Sequence, residues 1–319
     1  MTYLILVLAL LGLIALGLVL WTTKLARESE RLVPRQGKLH KVDGGEIHYL
    51  DLGPREAPVL VMIHGLGGVL QNFTYRLTPL LEKDYRLIVV DRPGSGYSTR
   101  DSEAAAAPAA QGAMIGALLD DLSITDPVLV GHSLGGAVAL AMALERADKT
   151  RALVLLAPLS HHPGDIPDML KGLAIRSPAL RWLISQTLAA PMAKLTAKKF
   201  FAEIFAPEQP PEDFFLGTGG PLAYRPASFR AASADLVAAD DLMQAQAARY
   251  ESELTTPGGV LFGDGDTVVD PEVHGRSMER YGLTYELLEG RGHVLPFTAP
   301  EQCAAFIRQI EAGSGAKSG

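Results

Sequence analysis

Apolar and polar positions divide the chain into three kinds of segment. Residues Tyr3 to Trp21 are almost all Leu, Ile, Val, Ala and Gly and carry no charge. From about residue 38 onward, short apolar runs recur between clusters of Gly, Pro, Asp and Ser, with longer mixed stretches separating them. Runs this short, closed at both ends by turn residues, predict buried strands, and the mixed stretches predict helices. A strand pair at 39–42 and 47–52, turning at Gly44-Gly45, leads into parallel strands at 59–63, 86–91, 127–131, 152–157, 258–263 and 284–289. The interval 158–257 is too long for a simple crossover or an unstructured loop. It holds helix-like stretches at 169–175, 179–190, 192–205 and 228–251 broken by prolines, so a helical insertion after the sixth strand is expected.

The N-terminal run is a different object. Nineteen residues span about 28 Å as a helix, close to the roughly 30 Å hydrocarbon core of a bilayer. Tyr3 and Trp21 bracket it as interfacial aromatics do. A cleaved signal peptide has a shorter apolar core, about 7–15 residues, and a basic start. Here no Lys or Arg precedes the run and no Ala-x-Ala-like site follows it, so residues 1–22 are expected to stay as a single-pass anchor. Residues 23–37, with Pro34 and Gly37, read as a short basic stalk. Lys24, Arg27, Arg31, Arg35, Lys38 and Lys41 outweigh Glu28 and Glu30, and the positive-inside rule places that flank and the body behind it on the cytoplasmic side. These first 41 residues carry +4, which leaves −11 of the formal −7 on the remainder. So acidic a body excludes electrostatic binding of nucleic acid.

Chemistry concentrates at strand ends. Gly131-His132-Ser133-Leu134-Gly135-Gly136 follows the apolar run Pro127 to Val130 and precedes the Ala-rich stretch 137–144. That is the strand–turn–helix setting of a G-x-S-x-G nucleophile elbow, in which small flanking residues let a strained turn lift the serine Oγ clear of the sheet. A serine nucleophile needs a base, and the base an orienting acid. Gly292-His293 lies just beyond the strand 284–289. Asp264, Asp266 and Asp270 all follow the strand 258–263, so the acid is open between them on position alone. His64-Gly65-Leu66-Gly67-Gly68 follows the strand 59–63, and its turn can bring a second amide to an oxyanion. The two donors are assigned to the backbone N–H groups of Leu66 and Leu134.

Together these features, with Asp91-Arg92-Pro93-Gly94-Ser95-Gly96-Tyr97-Ser98 and the Gly-x-x-Asp turn from Gly263 to Asp266, resemble the α/β-hydrolase superfamily over residues 38–312. The likeness is to its lipase, esterase and epoxide-hydrolase-like branch, and the anchored layout is similar to a monoacylglycerol lipase. The resemblance implies a mostly parallel eight-stranded sheet flanked by helices, with core segments 38–157 and 258–312 and a helical cap at 158–257. It implies Ser133 as nucleophile, His293 as base and Asp266, by the Gly-x-x-Asp spacing, as the acid, with Asp264 the rival. Serine at a position where dehalogenases and epoxide hydrolases of this fold carry aspartate implies an acyl-enzyme. No cofactor is implied.

Several residues have plainer readings. His64 is expected to fix its loop and His132 to form a pocket wall, while His161 and His162 read as solvated loop residues. Scattered histidines and the single Cys303, placed on an apolar helical face, leave no expected metal site or disulfide. The apolar cap residues Leu173, Ile175, Leu180, Trp182, Leu183, Phe200, Phe201, Phe214 and Phe215 are expected mainly to pack the cap onto the core. Residues 313–319 read as a disordered tail. The expected activity is cleavage of small-molecule carboxylic esters or lipids at a membrane. A thioesterase, a C–C bond hydrolase, a perhydrolase or haloperoxidase-like enzyme, or a non-enzymatic binding protein on the same fold stay open beside it.

Overall fold

A computed structural model describes residues 1–315 of the chain. All eight expected strands are present: β1 (Lys38–Val42), β2 (Gly45–Leu52), β3 (Val59–Ile63), β4 (Arg86–Val90), β5 (Val128–His132), β6 (Ala152–Leu156), β7 (Gly258–Gly263) and β8 (Thr284–Leu288). They form one sheet in the order β1-β2-β4-β3-β5-β6-β7-β8. β1 and β2 pair antiparallel, as do β2 and β4, and the rest of the sheet is parallel. The central strands are apolar without alternation because helices cover both faces, so inward and outward residues alike are buried.

The helices explain that burial. α1 (Thr2–Leu32) stands at the N-terminus, α2 (Pro108–Asp121) precedes β5, and α3 (Leu134–Glu145) follows it. Every residue of α3 from Leu134 to Ala143 is buried, as expected of a helix that is apolar all round. The insertion after β6 contains α4 (Pro178–Thr187), α5 (Ala189–Ile204) and α6 (Pro226–Ala247) with short turns between them. α7 (Pro300–Gly315) closes the sheet with a stripe of Cys303, Ala304, Phe306, Ile307 and Ile310.

Four segments differ from expectation. α1 runs on to Leu32, through most of the segment read as a stalk. Nothing breaks the helix before Pro34, and Thr22, Leu25 and Ser29 form a buried face one helical period apart, so the cap selects helix there. The break expected near Pro191 instead falls at Leu188, because Pro191 sits in the first turn of α5, where its missing N–H has no partner to lose. The stretch 169–175 forms only a 3-10 turn, Asp168–Leu173. Gly313 to Gly315, read as tail, continue α7, and 316–319 lie outside the described residues.

The cap is joined to the core by a buried ion cluster. Asp235 of α6 is fully buried and accepts hydrogen bonds from Arg92 Nη1 at 2.7 Å and Arg100 Nη1 at 2.5 Å. Arg92, also fully buried, donates to Gln111 Oε1 at 2.7 Å. Asp235→Asn strips the counter-charge from two guanidinium groups. It should lower the unfolding free energy by about 3–5 kcal/mol, read from denaturant midpoints. A loss within experimental scatter would mean that this cluster does not hold the cap.

Candidate active site

Ser133 occupies the turn between β5 and α3 at φ 53°, ψ −124°, a conformation that L-residues rarely adopt. Close backbone packing imposes it. A Cβ on Gly135 would stand 2.0 Å from the Ile63 carbonyl oxygen, and one on Gly131 would stand 2.5 Å from that of Gly135. Strand and helix therefore approach as far as backbone allows, and the Ser133 N–H is held by the Leu156 carbonyl at 3.1 Å.

Two loops converge on this serine. His293, in the loop after β8, accepts from Ser133 Oγ–H at Nε2 across 3.0 Å and donates from Nδ1 to Asp266 Oδ2 across 2.7 Å. Asp266 and His293 are both buried. The other Asp266 oxygen accepts the amides of Val268 at 2.8 Å and Val269 at 3.0 Å, which fixes its rotamer. The two rival acids are engaged elsewhere. Asp264 accepts from the Gly290 amide at 2.7 Å, and Asp270 caps a short helix through the amides of Glu272 and Val273. The structure thus brings together Ser133, His293 and Asp266, and leaves Asp264 and Asp270 outside.

Leu66 and Leu134 line the same cavity as Ser133, and among the described residues neither amide donates to another protein group. The Leu66 loop is held from beneath. Arg92 donates from Nε to the His64 carbonyl at 2.8 Å and from Nη2 to the Gly65 carbonyl at 3.0 Å. The His64 ring accepts the Arg92 amide at Nε2 and donates from Nδ1 to the Gly65 carbonyl. Asp91 accepts the amides of Leu70 at 2.7 Å and Tyr97 at 2.9 Å. The cluster that docks the cap therefore also shapes the Leu66 loop. Nothing in the sequence marks Asp235, an acidic residue inside a mixed helix, as part of this.

Three buried histidines stay neutral. Burial, then the nearby Arg92 charge, lowers the His64 pKa to about 4. Burial, then His293, lowers that of His132 to about 3, and its Nε2 donates to the His293 carbonyl at 3.0 Å. His274, which sequence reading passed over, accepts the amides of Ser160 and His161 at Nδ1, each at 3.2 Å. Burial, then His161, lowers its pKa to about 4. His161 is not a solvated loop residue. Its ring stacks on Tyr281 and meets Tyr250 and His274 edge-on. His162 lines the cavity over Ser133.

That cavity, about 820 Å³, lies between the core and the cap. Leu173, Ile175, Phe200, Phe201, Phe214 and Phe215 line it, so these cap residues face a void as well as their neighbours. Phe214 meets Phe201 and Phe205 edge-on, at centroid separations of 4.7 and 4.9 Å. Leu180, Trp182 and Leu183, expected to pack inward, are exposed.

Residues 60–306 match the alpha/beta hydrolase family, and the chain belongs to it. It is 37% identical over 131 residues to the magnesium-chelatase 30 kDa subunit of Rhodobacter capsulatus, covering 39% of this chain and 45% of that protein. It is 34% identical over 115 residues to the 2-hydroxy-6-oxononadienedioate/2-hydroxy-6-oxononatrienedioate hydrolase of Comamonas testosteroni, covering 35% and 40% respectively. The chain thus spans less than half the length of these curated relatives. Among solved structures it is similar in fold to a membrane phospholipase A, a bacterial virulence factor, with TM-score 0.61, 23% identity and 99% of both chains covered. An alpha/beta hydrolase fold protein of Burkholderia ambifaria gives TM-score 0.69 at 22% identity, over 85% of this chain and 97% of that one.

Two outcomes follow from the geometry. Gly135→Ala forces a methyl into the Ile63 carbonyl and should cost about 1–3 kcal/mol or more of stability, measured by thermal and denaturant unfolding. Unchanged stability would contradict the contact. In acid, the unfolded chain protonates His64, His132 and His274 near pH 6.5, whereas the folded protein does so only near pH 4 or below. Between those values the unfolded state binds more protons, so stability falls with pH, by up to about 1.4 kcal/mol per unit for each group. His274→Asn should lose less stability than the parent between pH 7 and pH 5, and an equal loss would refute the assignment.

Proposed function

We propose that the chain is a membrane-anchored serine hydrolase that cleaves carboxylic esters of hydrophobic acyl chains. The observation that carries this reading is the hydrogen-bonded run Ser133–His293–Asp266 at the floor of an apolar cavity of about 820 Å³. Ser133 Oγ attacks the ester carbonyl carbon as its proton passes to His293 Nε2. The carbonyl oxygen, now negative, takes hydrogen bonds from the Leu66 and Leu134 amides. The bond to the alcohol then breaks, with His293 returning the proton to the leaving oxygen. Water, deprotonated by the same imidazole, attacks the acyl-enzyme and releases the acid. Asp266 holds Nδ1–H and stabilises the imidazolium. Such general-base assistance is worth roughly 10²–10⁴ in rate and each oxyanion donor about 10²–10³.

The anchor rests on α1, a helix long and apolar enough to cross a membrane, whose most apolar stretch has no residue buried against the rest of the protein. Its C-terminal part supports retention over cleavage. Thr22 Oγ1 donates to the Thr187 carbonyl at 3.0 Å and Glu30 pairs with Arg225 at 3.0 Å; cleavage beyond Thr22 would strip the first contact from the cap and cleavage beyond Glu30 both. The basic flank supports a cytoplasmic side for the hydrolase body.

The Comamonas relative favours a second reading, hydrolysis of a C–C bond in an oxo-diacid. By its name that substrate is a dianion, and among the described residues no Lys or Arg lines this cavity. A cavity without a counter-charge disfavours two carboxylates, so the ester reading stands first. The full chain and its Ser133→Ala variant, assayed on p-nitrophenyl esters from acetate to palmitate, decide between them. Turnover should peak at medium or long chains and fall by about 10⁴ or more in the variant. Ser133-independent turnover, or none on any ester, would overturn the proposal.

A further inference from the structure

The exposed face of the cap beside α1 carries an inference that rests on the anchored reading above and goes past it. α1 changes character at one point. Up to Gly17 it projects free, with nothing within 4 Å of a Cβ built at Gly12 or Gly17, and Leu18 and Val19 are half-buried. At Thr22 it docks on the cap, with Thr22, Leu25 and Ser29 buried and Thr22 bonded to the Thr187 carbonyl. The helix is continuous across this point, so the end of its membrane-spanning part is fixed in space beside Thr187, the junction of α4 and α5.

Large apolar side chains crowd that junction on the outside. Trp182 is 57% exposed, Leu183 52%, Leu188 46%, Met192 50% and Leu195 70%. Leu188, Met192 and Leu195 fall on one face of α5 at helical spacing. Lys194 and Lys198 flank Leu195 and are exposed. Contiguous exposed apolar surface of this kind marks a binding face, and a basic rim suits anionic headgroups. Leu188 and Met192 have a second property. They also line the cavity over Ser133, together with Ile184, Ala189 and Ala193 from the same two helices. Exposed side chains that also line the cavity mark an edge of its opening, as Leu188 and Met192 do on the side of α1.

We propose that the α4–α5 face lies in the interfacial layer of the bilayer that holds α1, and that the opening at Leu188 and Met192 admits acyl chains to Ser133 directly from that leaflet. The lipid then need not cross water. α1 acts as more than a tether, because its docking at Thr22 sets the depth and orientation of the opening.

The chain has two tryptophans, Trp21 and Trp182, which makes the test direct. The full chain is reconstituted into vesicles of phosphatidylcholine and phosphatidylglycerol, with and without brominated acyl chains. Trp21→Phe leaves Trp182 as reporter, and Trp182→Phe leaves Trp21. Quenching of both by brominated lipid is expected. Quenching of Trp21 alone would leave the anchor standing and overturn the membrane-facing cap. Quenching of neither would overturn both. As a second readout, the double variant Leu183→Glu, Leu195→Glu, whose side chains do not line the cavity, should lose roughly tenfold turnover of a long-chain ester carried in the vesicles. It should keep its turnover of a water-soluble short ester. Equal loss on both substrates, or a change of oligomeric mass with no loss on vesicles, which would give the face to a second copy of the chain, would also overturn the inference.

Discussion

Ser133 holds a backbone conformation that costs a non-glycine residue of order 1–3 kcal/mol, and the structure is built so that no relaxed alternative is available. β5 ends against the start of α3 with glycine at both contact points, and Leu156 and Ile63 of the neighbouring strands close the turn from either side. The parallel sheet makes this possible. Only a strand buried on both faces, followed at once by a fully buried helix, can hold a turn this tight without exposing apolar surface. The same turn that brings Oγ to His293 leaves the first amide of α3 without a protein partner among the described residues, which suits the proposed oxyanion role.

The Leu66 loop depends on longer connections. The carbonyls of His64 and Gly65 at its start are tied to Arg92, which is tied in turn to Asp235 of the cap. Removing one partner of a buried pair of this sort leaves an uncompensated charge, so cap and Leu66 loop hold or loosen together. Such an arrangement makes the cap a support of the Leu66 loop as well as a wall of the cavity.

Much of this was legible in the chain. The inner strands β3 to β7 announced themselves because each is a short apolar run between turn residues, buried on both faces, whereas β1, β2 and β8 are mixed in polarity. Ser133 and His293 were marked by the glycines beside them. What stayed hidden depends on tertiary contact. Asp264 and Asp266 are alike in composition and differ in which of them reaches His293 and which reaches the Gly290 amide. The helical state of residues 22–32 is set by the cap that Thr22, Leu25 and Ser29 touch, which a local reading of mixed charge cannot see. His274 is a lone histidine in a polar stretch, and only folding places it among Ser160, His161 and the cavity.

In the proposed function, chemistry, cavity and anchor meet in a single object, a long-chain acyl group bound covalently at Ser133. The most direct measurement is therefore the crystal structure of the full chain after reaction with a long-chain alkyl phosphonate, a mimic of the tetrahedral intermediate. The account predicts phosphorus bonded to Ser133 Oγ and the phosphoryl oxygen about 2.7–3.1 Å from both the Leu66 and Leu134 amides. It also predicts the alkyl chain among Phe201, Phe214 and the other cap residues that line the cavity. An adduct on another residue, or a phosphoryl oxygen turned away from both amides, would contradict it.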